Sequence, residues 1–250
     1  MRKNILLKIE YDGTNYSGWQ SQKNAPAIQD TVEAALSKLH GGSKIPIIGC
    51  SRTDAGVHAI GYCGNFFTNS PIPPEKFACA LNPLLPGDIK IAESRQVPEA
   101  FHARFSVKAK TYLYRFYYSP FPSPLLLNRA WHITARPDLE AMRTAAEQFV
   151  GTQDFLSFMA AGGYPTTTVR TIFAAEVSQD PYGIYTFSVT GDGFLYNMMR
   201  IMAGTLVYTG LGKIPPCTVS EIIKAKDRKK AGITAPAQGL YLAQVHFESF

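Results

Sequence analysis

Within residues 50–59, written CSRTDAGVHA, Arg52 stands two positions before a carboxylate, Asp54, and Thr53, Gly56 and His58 crowd the same few positions. An Asp shortly before a Gly commonly does no more than organise a turn. A turn, however, needs neither the arginine nor the histidine. A carboxylate held near arginines has a lowered pKa and stays ionised, so it can attack or act as a base rather than donate a proton. Asp54 is the candidate catalytic group and Arg52 its companion, at a loop tip of the kind where functional side chains concentrate.

Residues 108–116 alternate basic or aromatic residues with others, and on a strand this puts Tyr112, Tyr114 and Phe116 on one face. Such alternation is usually core, the reading taken for Tyr114 and Phe116. Tyr112 lies nearest Lys108 and Lys110, and an aromatic ring beside cations is how single-stranded RNA is commonly stacked and held. Residues 191–200 lead into an apolar helix with one arginine. Among buried neighbours Arg200 requires a carboxylate, and Asp54 is the expected partner; the alternative is an arginine that snorkels at the helix surface. Lys224, Lys226, Arg228, Lys229 and Lys230 read as a solvated helix end with the capacity to contact phosphate. His40, His102, His132 and His246 have no companion at metal-ligand spacing and are read as structural. Cys50, Cys63, Cys79 and Cys217 form no CxxC pair, so reduced thiols and no structural metal are expected.

The elements that must position these groups repeat. Residues 5–11 read as a strand closed by Asp12-Gly13. A helix follows with Ile28, Val32, Ala35, Leu36 and Leu39 at helical spacing, Asp30 and Glu33 as a capping pair, and Gly41-Gly42 as its stop. Strands at 45–50 and 61–68 flank the Asp54 turn. Pro73-Pro74 opens a second helix with Phe77, Leu81 and Leu84 on one face, and 89–97 is a strand. In the second half the same order runs through a strand at 104–118, a helix at 137–150, strands at 167–179 and 184–190, helices at 194–208 and 219–226, and a strand at 239–247. Twice βαββαβ predicts an α+β protein of two ferredoxin-like units, 1–103 and 104–250, with antiparallel sheets side by side and an active-site cleft between them.

Composition sets the outer bounds. The 250 residues carry 25 Lys and Arg against 19 Asp and Glu, a formal charge of +6, which favours a polyanionic partner. Charges interrupt the N-terminal apolar run, so no secretory signal is expected, and no apolar segment approaches the length needed to span a membrane.

In order along the chain, several stretches resemble the TruA family of tRNA pseudouridine synthases. They are Tyr11-Asp12-Gly13-Thr14 with Gly18-Trp19-Gln20, Arg52 to Ala59, Leu81-Asn82 with Leu85-Pro86 and Asp88-Ile89, and Phe101-His102-Ala103-Arg104. The likeness continues through Lys110-Thr111-Tyr112, Asp154-Phe155 with Ser157-Phe158, Gly193-Phe194-Leu195 with Met198 and Arg200, and Gly239-Leu240-Tyr241-Leu242. One departure is Ser51, where the family usually has glycine. The resemblance implies isomerisation of uridine to pseudouridine in the anticodon stem-loop of tRNA, around positions 38 to 40, by a cytoplasmic homodimer without cofactor or metal. It makes Asp54 the catalytic aspartate, Arg52 the arginine that helps extrude the nucleotide, Tyr112 the ring that stacks on the base, Arg200 the partner of the aspartate, and Leu240 part of the uracil pocket. Two other classes compete with it. A hydrolase of the glycosidic bond would need a second carboxylate facing Asp54, and none is evident nearby in sequence. A non-catalytic tRNA-binding protein with tandem RRM-like units would carry an RNP1 pattern, which is missing.

Overall fold

A computed structural model describes residues 2–248 of the chain. It is a mixed α+β protein. In chain order the described strands are β1 (Lys3–Tyr11), β2 (Ile48–Gly49), β3 (His58–Thr68), β4 (Ile89–Val97), β5 (Val107–Tyr118), β6 (Trp131–Ile133), β7 (Gly151–Asp154), β8 (Val169–Gln179), β9 (Ile184–Gly191) and β10 (Leu240–Phe247). The α-helices are α1 (Ile28–Leu39), α2 (Phe77–Leu81), α3 (Leu139–Glu147), α4 (Met198–Gly210) and α5 (Val219–Ala225). The chain divides into two compact units. One runs to Lys108 and takes back the segment from Tyr241 on; the other is Ala109–Leu240. A linear division at Ala103 would leave that last segment with the second half.

In the first unit β1 lies between β3 and β4, antiparallel to both, with Ile9 opposite Tyr62 and Leu7 opposite Ser94. The brief β2 pairs antiparallel with β3 at Ile48 and Asn65, whereas β10 runs parallel to the start of β3, with Tyr241 beside His58. Ile28, Val32, Ala35 and Leu36 are the buried stripe of α1, as their spacing requires. Its start differs from the expected capping pair. Asp30 lies inside the first turn, and the first helical N–H groups go instead to backbone carbonyls, Ile28 N to Gly18 O at 3.2 Å and Gln29 N to Trp19 O at 2.9 Å. Glu33 accepts from Gln29 Nε2 and from Ile47 N. The second helix shrinks to α2 between two 3-10 turns, and Leu84, expected inside, is exposed.

In the second unit the order is β7-β8-β9-β5, with β6 parallel to β5 through Phe116 and Trp131. The polar Gly-Thr-Gln-Asp of β7 carries no apolar alternation and the Trp-His-Ile of β6 is too short to establish one, so neither strand was readable from the sequence. Asp138 caps α3 by accepting from Glu140 N and Ala141 N. Helix α4 begins at Met198, four residues later than its apolar pattern predicts, because Asn197 has φ +58°, outside the right-handed helix. Every residue of α4 is buried except Arg200 and Tyr208, so it is a central helix.

Candidate active site

In the first unit the Asp54 loop joins the end of β2 to the start of β3. Asp54 O accepts from Val57 N at 3.2 Å, and Gly56 between them has φ +74°, the left-handed position a type II turn reserves for glycine. The loop is tied down along its length. Ser51 O accepts from the Tyr62 hydroxyl at 2.6 Å, Thr53 O from Trp19 N at 3.3 Å, and Gly56 N donates to Tyr16 O at 3.2 Å; the Thr53 and Tyr11 hydroxyls share a bond at 2.9 Å. Underneath lies an aromatic floor, Trp19 stacked on Tyr62 with centroids 3.8 Å apart and Tyr11 tilted against both.

Two glycines let the chain before α1 press against this loop. A Cβ on Gly13 would stand 2.0 Å from Val57 O, and one on Gly18 would stand 2.1 Å from Thr53 O. That contact is the physical reason for glycine at positions 13 and 18, beside the Asp54 stretch. His58, 2% exposed, receives Gly13 N–H at Nδ1 (3.1 Å), and Asp12 Oδ1 lies 3.1 Å from the same nitrogen. One ring nitrogen cannot do both at once: bare, it accepts from Gly13; carrying the ring hydrogen, it donates to Asp12. Asp12 Oδ1 also accepts the N–H and hydroxyl of Thr14 at 3.0 and 2.6 Å. On this frame Asp54 is half-buried and Arg52 exposed.

In the second unit Arg200 sits in the first turn of α4. Its Nε donates to Ala235 O at 2.7 Å, Nη1 donates to Asn197 Oδ1 at 2.9 Å, and Ala235 N returns a bond to Arg200 O at 3.1 Å. The segment carrying Ala235 is itself pinned to α4: a Cβ on Gly204 would stand 2.0 Å from Ile233 O, and Thr205 Oγ1 accepts from Gly232 N at 2.9 Å. The Tyr114 hydroxyl closes the far end by donating to Pro236 O at 2.7 Å, and burial pushes that phenol well above its ordinary pKa, with Arg200 opposing the rise. Tyr112 shares the buried face of Tyr114 and Phe116; it is 8% exposed and meets Phe194 edge-on at 4.9 Å. Leu240 is 6% exposed.

The basic candidates divide. Lys108 pairs with Glu248 at 2.6 Å, both exposed. In the run from Lys224, Lys226 pairs with Asp154 at 2.7 Å, while Arg228 donates to Gly232 O and Thr234 Oγ1, so these two serve the fold; Lys224, Lys229 and Lys230 are exposed. Among the described residues no three His, Cys, Asp or Glu side chains are grouped to hold a metal, and no helix is long and apolar enough to cross a membrane. Sequence reading missed Tyr62, Trp19 and Tyr11 as anchors of the loop, and Asn197 as a partner of Arg200.

A sequence model of the family described as tRNA pseudouridine synthase matches residues 8–106 and 145–248. The chain is 50% identical over 245 residues to tRNA pseudouridine synthase A of Acetivibrio thermocellus, covering 98% of this chain and 100% of the relative. It is 51% identical over 247 residues to the protein of that name from Ruminiclostridium cellulolyticum, covering 99% and 100%. With the protein from Thermoanaerobacter sp. strain X514 it shares 46% over 243 residues, covering 97% and 99%.

Proposed function

The chain belongs to the tRNA pseudouridine synthase family, and on that premise we propose that it isomerises uridine to pseudouridine in the anticodon stem-loop of tRNA, around positions 38 to 40, with Asp54 as the catalytic carboxylate. The observation that carries this reading is the anchored loop. It presents Asp54 half-buried and Arg52 exposed on a backbone tied at Ser51, Thr53 and Gly56.

The chemistry fits those side chains. Substrate and product contain the same atoms: the N1–C1′ bond breaks, a C5–C1′ bond forms, C5 loses its proton and N1 ends protonated. No oxidant or group donor is required. The target base must leave its stack to be reached, and Arg52 is assigned to hold the space it vacates. Asp54, ionised, adds to the sugar or stabilises its positive charge while the base turns. Arg200 is assigned to keep Asp54 ionised, Tyr112 to stack on the uracil and Leu240 to line its pocket; Lys108 and Lys110 are assigned to the RNA backbone. The reading thus draws on both units, each taken as ferredoxin-like, for which the antiparallel order β4-β1-β3-β2 in the first, to which β10 is added parallel to β3, is the support. It also takes the working form as a cytoplasmic homodimer, a state that light scattering measures directly.

The test follows tritium release from tRNA labelled at uracil C5, with chelator present. Release by the wild type and none by Asp54→Ala is expected, because that hydrogen leaves only when C5 gains a new bond. Tight tRNA binding without release would instead support a non-catalytic binding protein, and accumulation of free uracil a hydrolase. Arg200→Ala at near-full activity would remove its pairing with Asp54.

A further inference from the structure

We propose that Tyr62 is a positioning residue for Arg52, acting through the backbone of the loop; this rests on the functional reading above. The carbonyls of the residues on either side of Arg52 each accept one bond from a residue of the aromatic floor: Ser51 O from the Tyr62 hydroxyl at 2.6 Å, Thr53 O from the backbone amide of Trp19 at 3.3 Å. The shorter bond comes from the side chain whose ring is stacked on Trp19, so both anchors belong to one rigid block. Tyr62 is fully buried.

The hydroxyl reaches Ser51 only through a notch. A Cβ at Gly49 would stand 2.1 Å from the Tyr62 hydroxyl oxygen and 2.5 Å from Trp19 Nε1. Gly49 is absent from the glycines of positive φ, so its lack of a side chain is needed for space and not for backbone conformation. The hydroxyl of Ser51 adds no tie of its own, since Ser51 Oγ is buried with no hydrogen-bond partner among the described residues. A notch cut for one hydroxyl, opening on the carbonyl that precedes an exposed arginine, is a device for aiming that arginine. Without the hydroxyl, the Ser51 peptide can rotate toward water and Arg52 loses its fixed launch direction. Phosphate contacts made elsewhere on the chain are untouched, so the loss falls on turnover and not on tRNA affinity.

Tyr62→Phe keeps the ring and its stacking and removes only the donor. The comparison variant is Ser94→Ala, which deletes a hydroxyl bond to Ala78 N (3.0 Å) in the same unit, away from the loop. Two readouts are taken on all three proteins: amide hydrogen exchange across residues 51–57, and kcat and KM for tritium release. Tyr62→Phe should speed exchange in that segment and lower kcat about tenfold with KM within about twofold, as for a small misplacement of a catalytic group. Ser94→Ala should match the wild type in both. Wild-type exchange over 51–57 in Tyr62→Phe, or an equal loss of kcat in both variants, overturns the proposal. If the wild type itself releases no tritium, the functional reading fails, and the exchange comparison alone decides whether Tyr62 holds the loop.

Discussion

Replacing Gly18 by alanine should damage the Asp54 loop from outside it. The new Cβ would lie 2.1 Å from Thr53 O and 3.1 Å from the Asp54 carbonyl carbon, and residue 18 has φ +95°. Real Cβ atoms stay beyond 3.0 Å, so the Thr53 carbonyl must retreat by about 1 Å, which breaks a Trp19 N bond already at 3.3 Å. Left-handed strain in an L residue costs about 1–2 kcal/mol and the lost hydrogen bond about 1 kcal/mol more, roughly 3 kcal/mol at the upper end before any crowding is added. For a chain of this size that corresponds to a fall in Tm of about 6–12 °C. A 1 Å displacement beside a catalytic group costs about a hundredfold in rate. Two other glycines separate the contributions. Gly41 has φ +64° with nothing within 4 Å of a Cβ, so Gly41→Ala should show strain alone, about 1–2 kcal/mol, at full activity. Gly87 has neither strain nor neighbours, so Gly87→Ala should be neutral or stabilising by up to about 1 kcal/mol. Calorimetry and tritium release on the three variants give the ranking. If Gly18→Ala melts and turns over like Gly87→Ala, the idea that the first glycines press on the loop is wrong.

The amide of Asn82 spans Ile91, donating to its O at 3.0 Å and accepting from its N at 2.8 Å; Asn82→Asp turns the donor into a second acceptor and should cost about 1–3 kcal/mol in urea unfolding at pH 7. Hydrogen bonds from Lys226, foremost, and from Thr168 hold the Asp154 carboxyl below its usual range. Its stabilisation is therefore present above the unfolded carboxylate pKa, about 3.9, and lost as pH falls through the lower folded value. The stability gap between wild type and Lys226→Ala, about 0.5 kcal/mol given the exposure of that lysine, should hold at pH 7 and close toward pH 2 in thermal melts. Burial raises the Cys63 thiol to about 12 and Cys50 is buried, whereas Cys79 and Cys217 are exposed. A native thiol titration at pH 8 should count two fast groups, with two more appearing in denaturant.

Much of this was legible because it is local. The stripe of α1 follows from spacing, and Asp54 stood out because Arg52, Thr53 and His58 exceed what a turn needs. The start of α1 was misread because the carbonyls of Gly18 and Trp19, brought there by the glycine-rich approach, do what a side-chain cap would have done. Tyr62 fell inside the expected strand at 61–68 and had no separate reading. Its role depends on a partner eleven positions away across a hairpin and on an empty place at Gly49, and neither leaves a periodic trace. Asn197 was readable in principle, since asparagine tolerates the left-handed region better than most residues. The cap at Asp138 was also in plain view after Pro137, at the N-cap position where Asp is preferred.

The pairing of β10 with β3 puts the order of synthesis at odds with the order of assembly. Residues 54 and 58 emerge early from the ribosome, yet the strand beside His58, with the Tyr241 ring stacked on its imidazole at 4.7 Å, is made about 130 residues after Lys108. At ordinary elongation rates of about 5–20 residues per second that is a wait of roughly 7–27 s. During it β3 has a length of open edge beside the nascent Asp54 loop, the kind of surface that recruits chaperones or wrong partners. The half of the protein that is translated first is the half that is finished last.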